Sequence, residues 1–296
     1  MAKYITPAVT PLNADGTLDE QGCKALYDHL IEGGVDGILV LGSIGEFFAL
    51  SMEIKKRLIS LAVKHVNRRV QLIIGTADMQ IENVIELSNF ALAEGADSVI
   101  VVPPFYFWLN AESIEAYYDR LAEEIKGRLY IYNFPDRTGY QIPADVIARL
   151  AVKHPNIVGC KDTISGMDHT RELIKAVKPQ RPEFEVFSGF DDNFAHNVLS
   201  GGDGCIGGMS NLAPEITSSW VRAIERGDMD AVAEIQKKID RMMSIYSVGM
   251  PFVPYIKRAM QLRGIAVKAH ATFPLPAVTE QDDEKLLAIL KAEALV

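Results

Sequence analysis

The chain has 296 residues, 48% hydrophobic and 23% charged, with 22 Gly and 14 Pro. This is ordinary globular usage that excludes disorder, collagen and low-complexity architectures. A net charge of −9, from 30 Lys plus Arg against 39 Asp plus Glu, leaves no basic face to displace counterions, so no nucleic-acid partner is expected.

No run approaches about 18 consecutive apolar residues, so no membrane span is expected. The N-terminal MAKYITPAVTPLNADG lacks the apolar core of a signal peptide. Cys23, Cys160 and Cys205 are odd in number and far apart, with no CxxC. That spacing argues against a disulfide framework or zinc site and makes the cytoplasm the default compartment. The six His residues are scattered, without HExxH, so metal catalysis has no support.

In chain order, short runs rich in Val, Ile and Leu predict eight strands. They are TPAVT near residue 8, GILVL at 37–41, QLIIG at 71–75, DSVIVV at 97–102, RLYIYN at 128–133, NIVGCK at 156–161, FEVFSG at 184–189 and GCIGG at 204–208. Near-continuous apolar strands are the pattern of a parallel sheet covered on both faces. Amphipathic stretches between them predict helices over 21–32, 53–66, 83–94, 111–124, 144–153 and 169–177. Several end on a stop signal, such as Glu32-Gly33-Gly34 and Glu94-Gly95. Strands at roughly 20–35-residue spacing, each followed by a helix, predict a (β/α)8 TIM barrel rather than an open sheet.

After Pro214 the strand pattern stops, and helices are predicted over 215–226, 229–248, 251–263 and 282–295. Residues 1–226 are read as the barrel with the active site, and 227–296 as a C-terminal helical extension, with no repeat or linker between them. Gly202-Asp203-Gly204-Cys205-Ile206-Gly207 satisfies GxGxxG literally. A dinucleotide fingerprint must follow a strand and open a helix. Here the glycines follow the apparent helix AHNVLS and a strand begins inside the motif, so helix capping before strand eight is the better reading.

In such a barrel the active site lies at the C-terminal strand ends, and three of them carry polar groups that apolar strands have little reason to hold. Strand two ends in Gly42-Ser43-Ile44-Gly45-Glu46, strand five in Tyr132-Asn133-Phe134-Pro135, and strand six in Lys161. If strand six lines the barrel, the Lys161 amine sits in a partly desolvated mouth. An amine attacks a carbonyl only when neutral, and bringing a free Lys from about 10.4 to near 7 takes roughly 4 kcal/mol. The plainer alternative is a Lys161 that has left the strand to pair with Asp162 at the surface. Tyr132 is either a core residue with a backbone-bonded hydroxyl or a proton shuttle beside the amine. Ser43 lies either in a tight connection or in a turn whose backbone N–H groups hold a carboxylate.

Taken together, these motifs resemble the family of dihydrodipicolinate synthase and N-acetylneuraminate lyase. The resemblance covers nearly the whole chain, including the N-terminal Thr-Pro, Pro104-Phe105-Tyr106 and Gly201-Gly202-Asp203-Gly204. It implies a class I (Schiff-base) aldolase or lyase working through pyruvate, with no metal or organic cofactor. Lys161 would form the imine, and Tyr132 would move the proton for carbinolamine breakdown and carbon–carbon cleavage. Ser43 would link Tyr132 to Tyr106, the latter reaching in from a neighbouring subunit. The pyruvate carboxylate would sit on the Ser43–Ile44 turn, and Ile206 would place a backbone carbonyl near the lysine. The same resemblance implies a homotetramer of tight dimers.

Within the family the residues point two ways. Arg137 matches the arginine that binds the second substrate's carboxylate in the synthase, and Ile44 replaces a hydroxyl residue usual there. Lys161-Asp162-Thr163 and Gly189-Phe190-Asp191-Asp192 resemble the lyase pattern, in which Thr163 and the acidic pair Asp191 and Asp192 would contact substrate hydroxyls. The alternative role for that acidic pair is capping of the helix over 193–200. Gly208 stands where the sialate enzyme usually has Ser.

The balance favours reversible cleavage of a 2-keto-3-deoxy sugar acid, such as 2-keto-3-deoxygluconate, to pyruvate and an aldehyde. The alternative is a dihydrodipicolinate synthase condensing pyruvate with aspartate semialdehyde. A dehydratase of a related keto-deoxy acid, which Gly45-Glu46-Phe47-Phe48 also resembles, stays open. So does a non-catalytic binder of pyruvate or a sugar acid, although such a binder has no need of both Lys161 and Tyr132.

Overall fold

The computed structural model describes residues Met1–Val296. Eight strands, β1 (Lys3–Pro7), β2 (Gly37–Val40), β3 (Gln71–Gly75), β4 (Ser98–Val101), β5 (Leu129–Asn133), β6 (Ile157–Asp162), β7 (Glu185–Ser188) and β8 (Gly204–Ile206), form a closed barrel in sequential order. Most strand residues are buried, as expected of parallel strands covered by helices. By internal contacts the chain divides into two compact units. One comprises Ile73–Ile206 with Met1–Ala2, and the other comprises Lys3–Leu72 with Gly207–Val296.

The Ile73–Ile206 unit carries β4 to β8 and most of β3, paired in parallel in an unbroken series. Helices α3 (Ile81–Glu94), α4 (Ala111–Glu124), α5 (Pro135–Thr138), α6 (Ala144–Lys153), α7 (Asp168–Val177) and α8 (Phe194–Leu199) alternate with the strands. Their ends follow local chemistry. The Asn110 side chain accepts the Ser113 N–H at the start of α4. Gly95 takes φ +118° to stop α3, a conformation that a Cβ would oppose. The GxGxxG match does follow a helix end: Gly201, the residue before it, takes φ +94° after α8, Gly202 N donates to Asn197 O at 2.9 Å, and β8 opens at Gly204.

The other unit holds β1, β2, α1 (Glu20–Glu32), α2 (Met52–Val66), α9 (Pro214–Glu225), α10 (Met229–Met242), α11 (Val253–Leu262) and α12 (Glu280–Ala292). Asp19, Ser51, Asp228 and Thr279 cap α1, α2, α10 and α12 through their side chains, and Thr279 and Asp282 complete a capping box. The helix pairs α9/α10 and α11/α12 pack on one another, and the buried Trp220 indole donates to Val232 O at 3.2 Å.

Several boundaries differ from the sequence expectation. The first strand runs over Lys3–Pro7, not 6–10, because Ile5–Pro7 pair with Gly37–Leu39. Ala8 N still donates to Leu39 O at 2.9 Å, and the chain then leaves the ladder. Val9 N donates to Asn211 Oδ1 at 3.0 Å and Thr10 Oγ1 to Gly45 O at 2.6 Å. Ala8, Val9 and Thr10 are therefore buried as a loop packed beneath the β2 turn. The helix expected over 229–248 ends at Met242 and tightens to a 3₁₀ turn over Met243–Ser247. The following helix starts at Val253 rather than 251, with Pro254 in its first turn, where a missing N–H costs nothing.

A charged contact invisible to the apolar pattern lies in this unit. Glu46, at φ +59°, and Lys257 are both fully buried and form an ion pair. The other Glu46 oxygen accepts from Thr272 N at 2.6 Å and Thr272 Oγ1 at 2.9 Å, while Lys257 Nζ also donates to His270 O at 2.7 Å. The segment around 270–272 is thus tied to the turn after β2. Breaking one half of such a pair strands a buried charge, so Lys257→Met is expected to cost about 3–5 kcal/mol. Urea denaturation reads this directly, and the Glu46→Leu/Lys257→Met double variant should recover part of the loss.

Candidate active site

The strand ends place the predicted residues in two groups, one in each unit. In the Ile73–Ile206 unit, β5 and β6 run in register with Tyr132 beside Lys161 and Asn133 beside Asp162. Side chains alternate along a strand, so Tyr132 and Lys161 share one face while Asn133 and Asp162 share the other. Lys161 remains in β6, only 4% exposed, and its Nζ donates to Tyr132 Oη at 3.2 Å while lying 4.4 Å from the ring centroid. The surface pairing of Lys161 with Asp162 does not form. Asp162 is occupied by Asn133, His169 and Thr170 instead. The Lys161 amine is therefore left unpaired by any carboxylate.

Tyr132 is held from behind by aromatic packing. Phe134 stacks on it with centroids 5.7 Å apart at 18°, and Phe190 meets Phe134 edge-on at 6.4 Å. Arg137, exposed in α5, places its guanidinium 5.6 Å from the Phe134 centroid. The aromatic residues Phe134 and Phe190 were not singled out from the sequence, although both flank residues that were.

Thr163 follows β6 immediately. It is 3% exposed, yet its hydroxyl has no hydrogen-bond partner, a rare state for a buried polar group. Gly189 is the reason it fits, since a Cβ there would collide with the Thr163 side chain. Asp191 is buried and Asp192 exposed in a 3₁₀ turn over Asp191–Asn193. Neither caps α8. The cap position is Asn193, which makes no side-chain cap and donates to Ile164 O at 3.2 Å. Ile206 is fully buried at the end of β8.

Tyr106 is 81% exposed beside the equally open Phe107 and Trp108. Its loop is anchored by a hydrogen bond from the Tyr140 hydroxyl to Pro104 O. Burial lifts the Tyr140 hydroxyl to about 12, so it stays a donor across the physiological range.

In the second unit, β2 ends in the Ser43–Glu46 turn. Leu41 and Glu46 take φ +61° and +59°, and Glu46 N donates to Ser43 O at 3.2 Å. Ser43 and Ile44 are half-buried. Gly208 has its own local cause, because a Cβ there would collide with the Tyr246 hydroxyl and the Ile44 side chain. A side chain at 208 would thus require both Tyr246 and Ile44 to shift.

With this geometry in view, the relatives are informative. A model of the dihydrodipicolinate synthetase family matches residues 1–293. The chain belongs to this family. The probable 2-dehydro-3-deoxy-D-pentonate aldolase YjhH of Escherichia coli (strain K12) is 35% identical over 292 residues, covering 99% of this chain and 97% of that protein. YagE of the same organism, provisionally named a 2-dehydro-3-deoxy-D-gluconate aldolase, is 36% identical over 287 residues, 97% of this chain and 95% of its own length. A crystal structure of YagE in complex with pyruvate superposes with a TM-score of 0.97, covering 100% of this chain and 99% of that one. The 4-hydroxy-tetrahydrodipicolinate synthase of Hydrogenobaculum sp. (strain Y04AAS1) is 33% identical over 293 residues, 99% of this chain and 98% of that protein. Like its family, the chain is a lyase of the class I aldolase type. No helix is long and apolar enough to cross a membrane.

Sequence reading also missed a buried polar cluster on the far side of the β5/β6 ends. His169, 2% exposed, sets Nδ1 at 3.0 Å from Asp162 Oδ2 and Nε2 at 2.9 Å from Ile142 O. Burial alone would lower its pKa, but the Asp162 carboxylate and the Ile142 carbonyl outweigh burial and raise it above 6.5. A raised folded-state pKa means that protonation of His169 stabilises the fold. That contribution is complete below about 6.5 and is lost as pH rises through the raised value. The melting temperature of the wild type should therefore fall more steeply than that of His169→Gln over this alkaline-going window. Parallel slopes would contradict it.

Proposed function

We propose that the protein reversibly cleaves a 2-keto-3-deoxy sugar acid, such as 2-keto-3-deoxygluconate, into pyruvate and an aldehyde through an imine on Lys161. One observation carries this reading: a buried, carboxylate-free Lys161 Nζ lies 3.2 Å from the Tyr132 hydroxyl in matched strand register. The amine adds to the C2 carbonyl, and the carbinolamine loses water with a proton supplied by Tyr132. In the cleavage step Tyr132 takes the proton of the C4 hydroxyl. The C3–C4 bond then breaks, its electron pair moves to C3 and into the protonated imine, and the aldehyde departs. Protonation at C3 and hydrolysis return pyruvate and the free amine. The imine is the electron sink, so the chemistry requires neither metal nor organic cofactor.

The Ser43–Ile44 turn is assigned the pyruvate carboxylate through its N–H groups and the Ser43 hydroxyl. Ile206 is assigned the backbone carbonyl near the amine. Favouring a sugar acid over aspartate semialdehyde are the orphaned Thr163 hydroxyl, which a substrate hydroxyl would satisfy, and the neighbouring Asp191-Asp192 pair, whose carboxylate oxygens are suited to accept from adjacent hydroxyls. The names of YjhH and YagE agree with this choice. A cytoplasmic setting suits three buried free thiols. A tetramer of tight dimers suits the open aromatic loop Phe105–Trp108, from which Tyr106 would enter a neighbour's site.

Pyruvate release from a panel of 2-keto-3-deoxy acids, run beside condensation with aspartate semialdehyde, tests the substrate class. Turnover in the condensation alone would replace the aldolase by the synthase. Arg137→Ala discriminates independently. A sugar-acid aldolase should lose less than about tenfold in kcat/KM, whereas a synthase that binds a second carboxylate there should lose about 10²-fold or more.

A further inference from the structure

Behind the Lys161–Tyr132 pair lies a closed ring of hydrogen bonds. Asn133 Nδ2 donates to Asp162 Oδ1 at 2.7 Å, and Ile142 N donates to Asn133 Oδ1 at 3.0 Å. The imidazole of His169 bridges Asp162 and Ile142 O, which closes the ring. Thr170 Oγ1 adds a 2.6 Å bond to Asp162 Oδ2. All five residues are essentially inaccessible to solvent. Both ring nitrogens of His169 face acceptors, so the ring is complete only when the imidazole carries two protons.

We propose that Asp162 and His169 are positioning residues of the reaction: with Asn133 they clamp the ends of β5 and β6 in the register that sets the Lys161 amine against the Tyr132 hydroxyl. The proposal rests on the imine reading of Lys161. Asn133 and Asp162 are the immediate neighbours of Tyr132 and Lys161 and pair across the same two strands. Any slip between the strand ends therefore moves the reacting atoms by the same amount. A misplacement of about 1 Å can cost about 10²-fold in rate. A buried ion pair is poor evidence for stability, since apolar residues of similar volume often serve as well. What it supplies here is directional contact from β5 and α7 onto the residue after Lys161, with Ile142, in the segment before α6, bonded to both Asn133 and His169.

The test is the rate of pyruvate imine formation, trapped by borohydride and read by intact mass, in the wild type and in His169→Leu, His169→Gln and Thr170→Val. His169→Leu should slow trapping about 10²-fold with less than about threefold change in the pyruvate concentration at half-saturation. His169→Gln, which keeps a donor toward Asp162, should recover most of the rate. A folded His169→Leu trapping within about twofold of wild type would overturn the proposal. So would a loss carried wholly by weaker pyruvate saturation. Should His169→Leu not fold, Thr170→Val decides. It keeps the shape while removing one donor, and should slow trapping by about three- to tenfold; no change would overturn the proposal. A wild type that forms no adduct fails the Lys161 reading instead. The ring is then judged by ¹⁵N shifts of labelled His169 across a pH series, where a midpoint above the usual imidazole value is expected and one at or below it sinks the clamp.

Discussion

Lys161→Met is expected to abolish borohydride-trapped pyruvate adduct and to lower pyruvate release from the keto-deoxy acid by about 10⁴-fold or more, the scale of loss when a covalent nucleophile is removed. Met fits the space, so the variant should fold. The buried amine has no carboxylate partner to orphan, and its recorded contacts are the hydroxyl and ring of Tyr132. Circular dichroism and melting should match the wild type to within the effect of a tolerated core substitution. Intact mass after reduction supplies the decisive measurement. An adduct that persists in Lys161→Met would place the imine on another amine and remove the mechanism derived from the β6 end.

Tyr132→Phe separates proton transfer from packing. The Phe ring preserves the 5.7 Å stack on Phe134 and deletes the one group within hydrogen-bonding reach of Lys161 Nζ. Loss of a positioned general acid–base is expected to reduce kcat by about 10²–10⁴-fold. The KM for the keto-deoxy acid should change little, because the hydroxyl is used as protons move rather than to hold the substrate. Single-turnover trapping should slow as well, since carbinolamine dehydration draws on the same proton. A variant with wild-type kcat would assign the shuttle to another group. A large KM effect at constant kcat would recast Tyr132 as a binding residue.

The two variants also separate the class I aldolase from a binding protein on the same scaffold. A binder would retain pyruvate affinity in both and show no adduct in either. The wild type decides between them, since an aldolase traps pyruvate there and a binder does not.

Much of this architecture is legible in the amino-acid sequence. Strand and helix patterns, cap residues and glycine stops are local, because alternation, amphipathic period and positive-φ requirements are set within a few residues. Helices α4 and α6 begin and end where the pattern says, at Ala111–Glu124 and Ala144–Lys153. The first strand did not, because burial of Ala8–Thr10 comes from loop packing and carries the same apolar signature as a strand.

The sequence also placed Lys161 and Tyr132 at strand ends and left open whether they meet. Only the β5/β6 register, joining residues 29 apart, put the amine against the phenol and turned Asp162 away to His169. Glu46 and Lys257, 211 residues apart, show the same division. Nothing in an apolar helix pattern announces a buried cation, since its partner is fixed by how distant segments pack and not by its neighbours in the chain. Residue types at strand ends limited the possible chemistry, while distances between those ends, set by barrel closure and long-range hydrogen bonds, decided which of these side chains can act together.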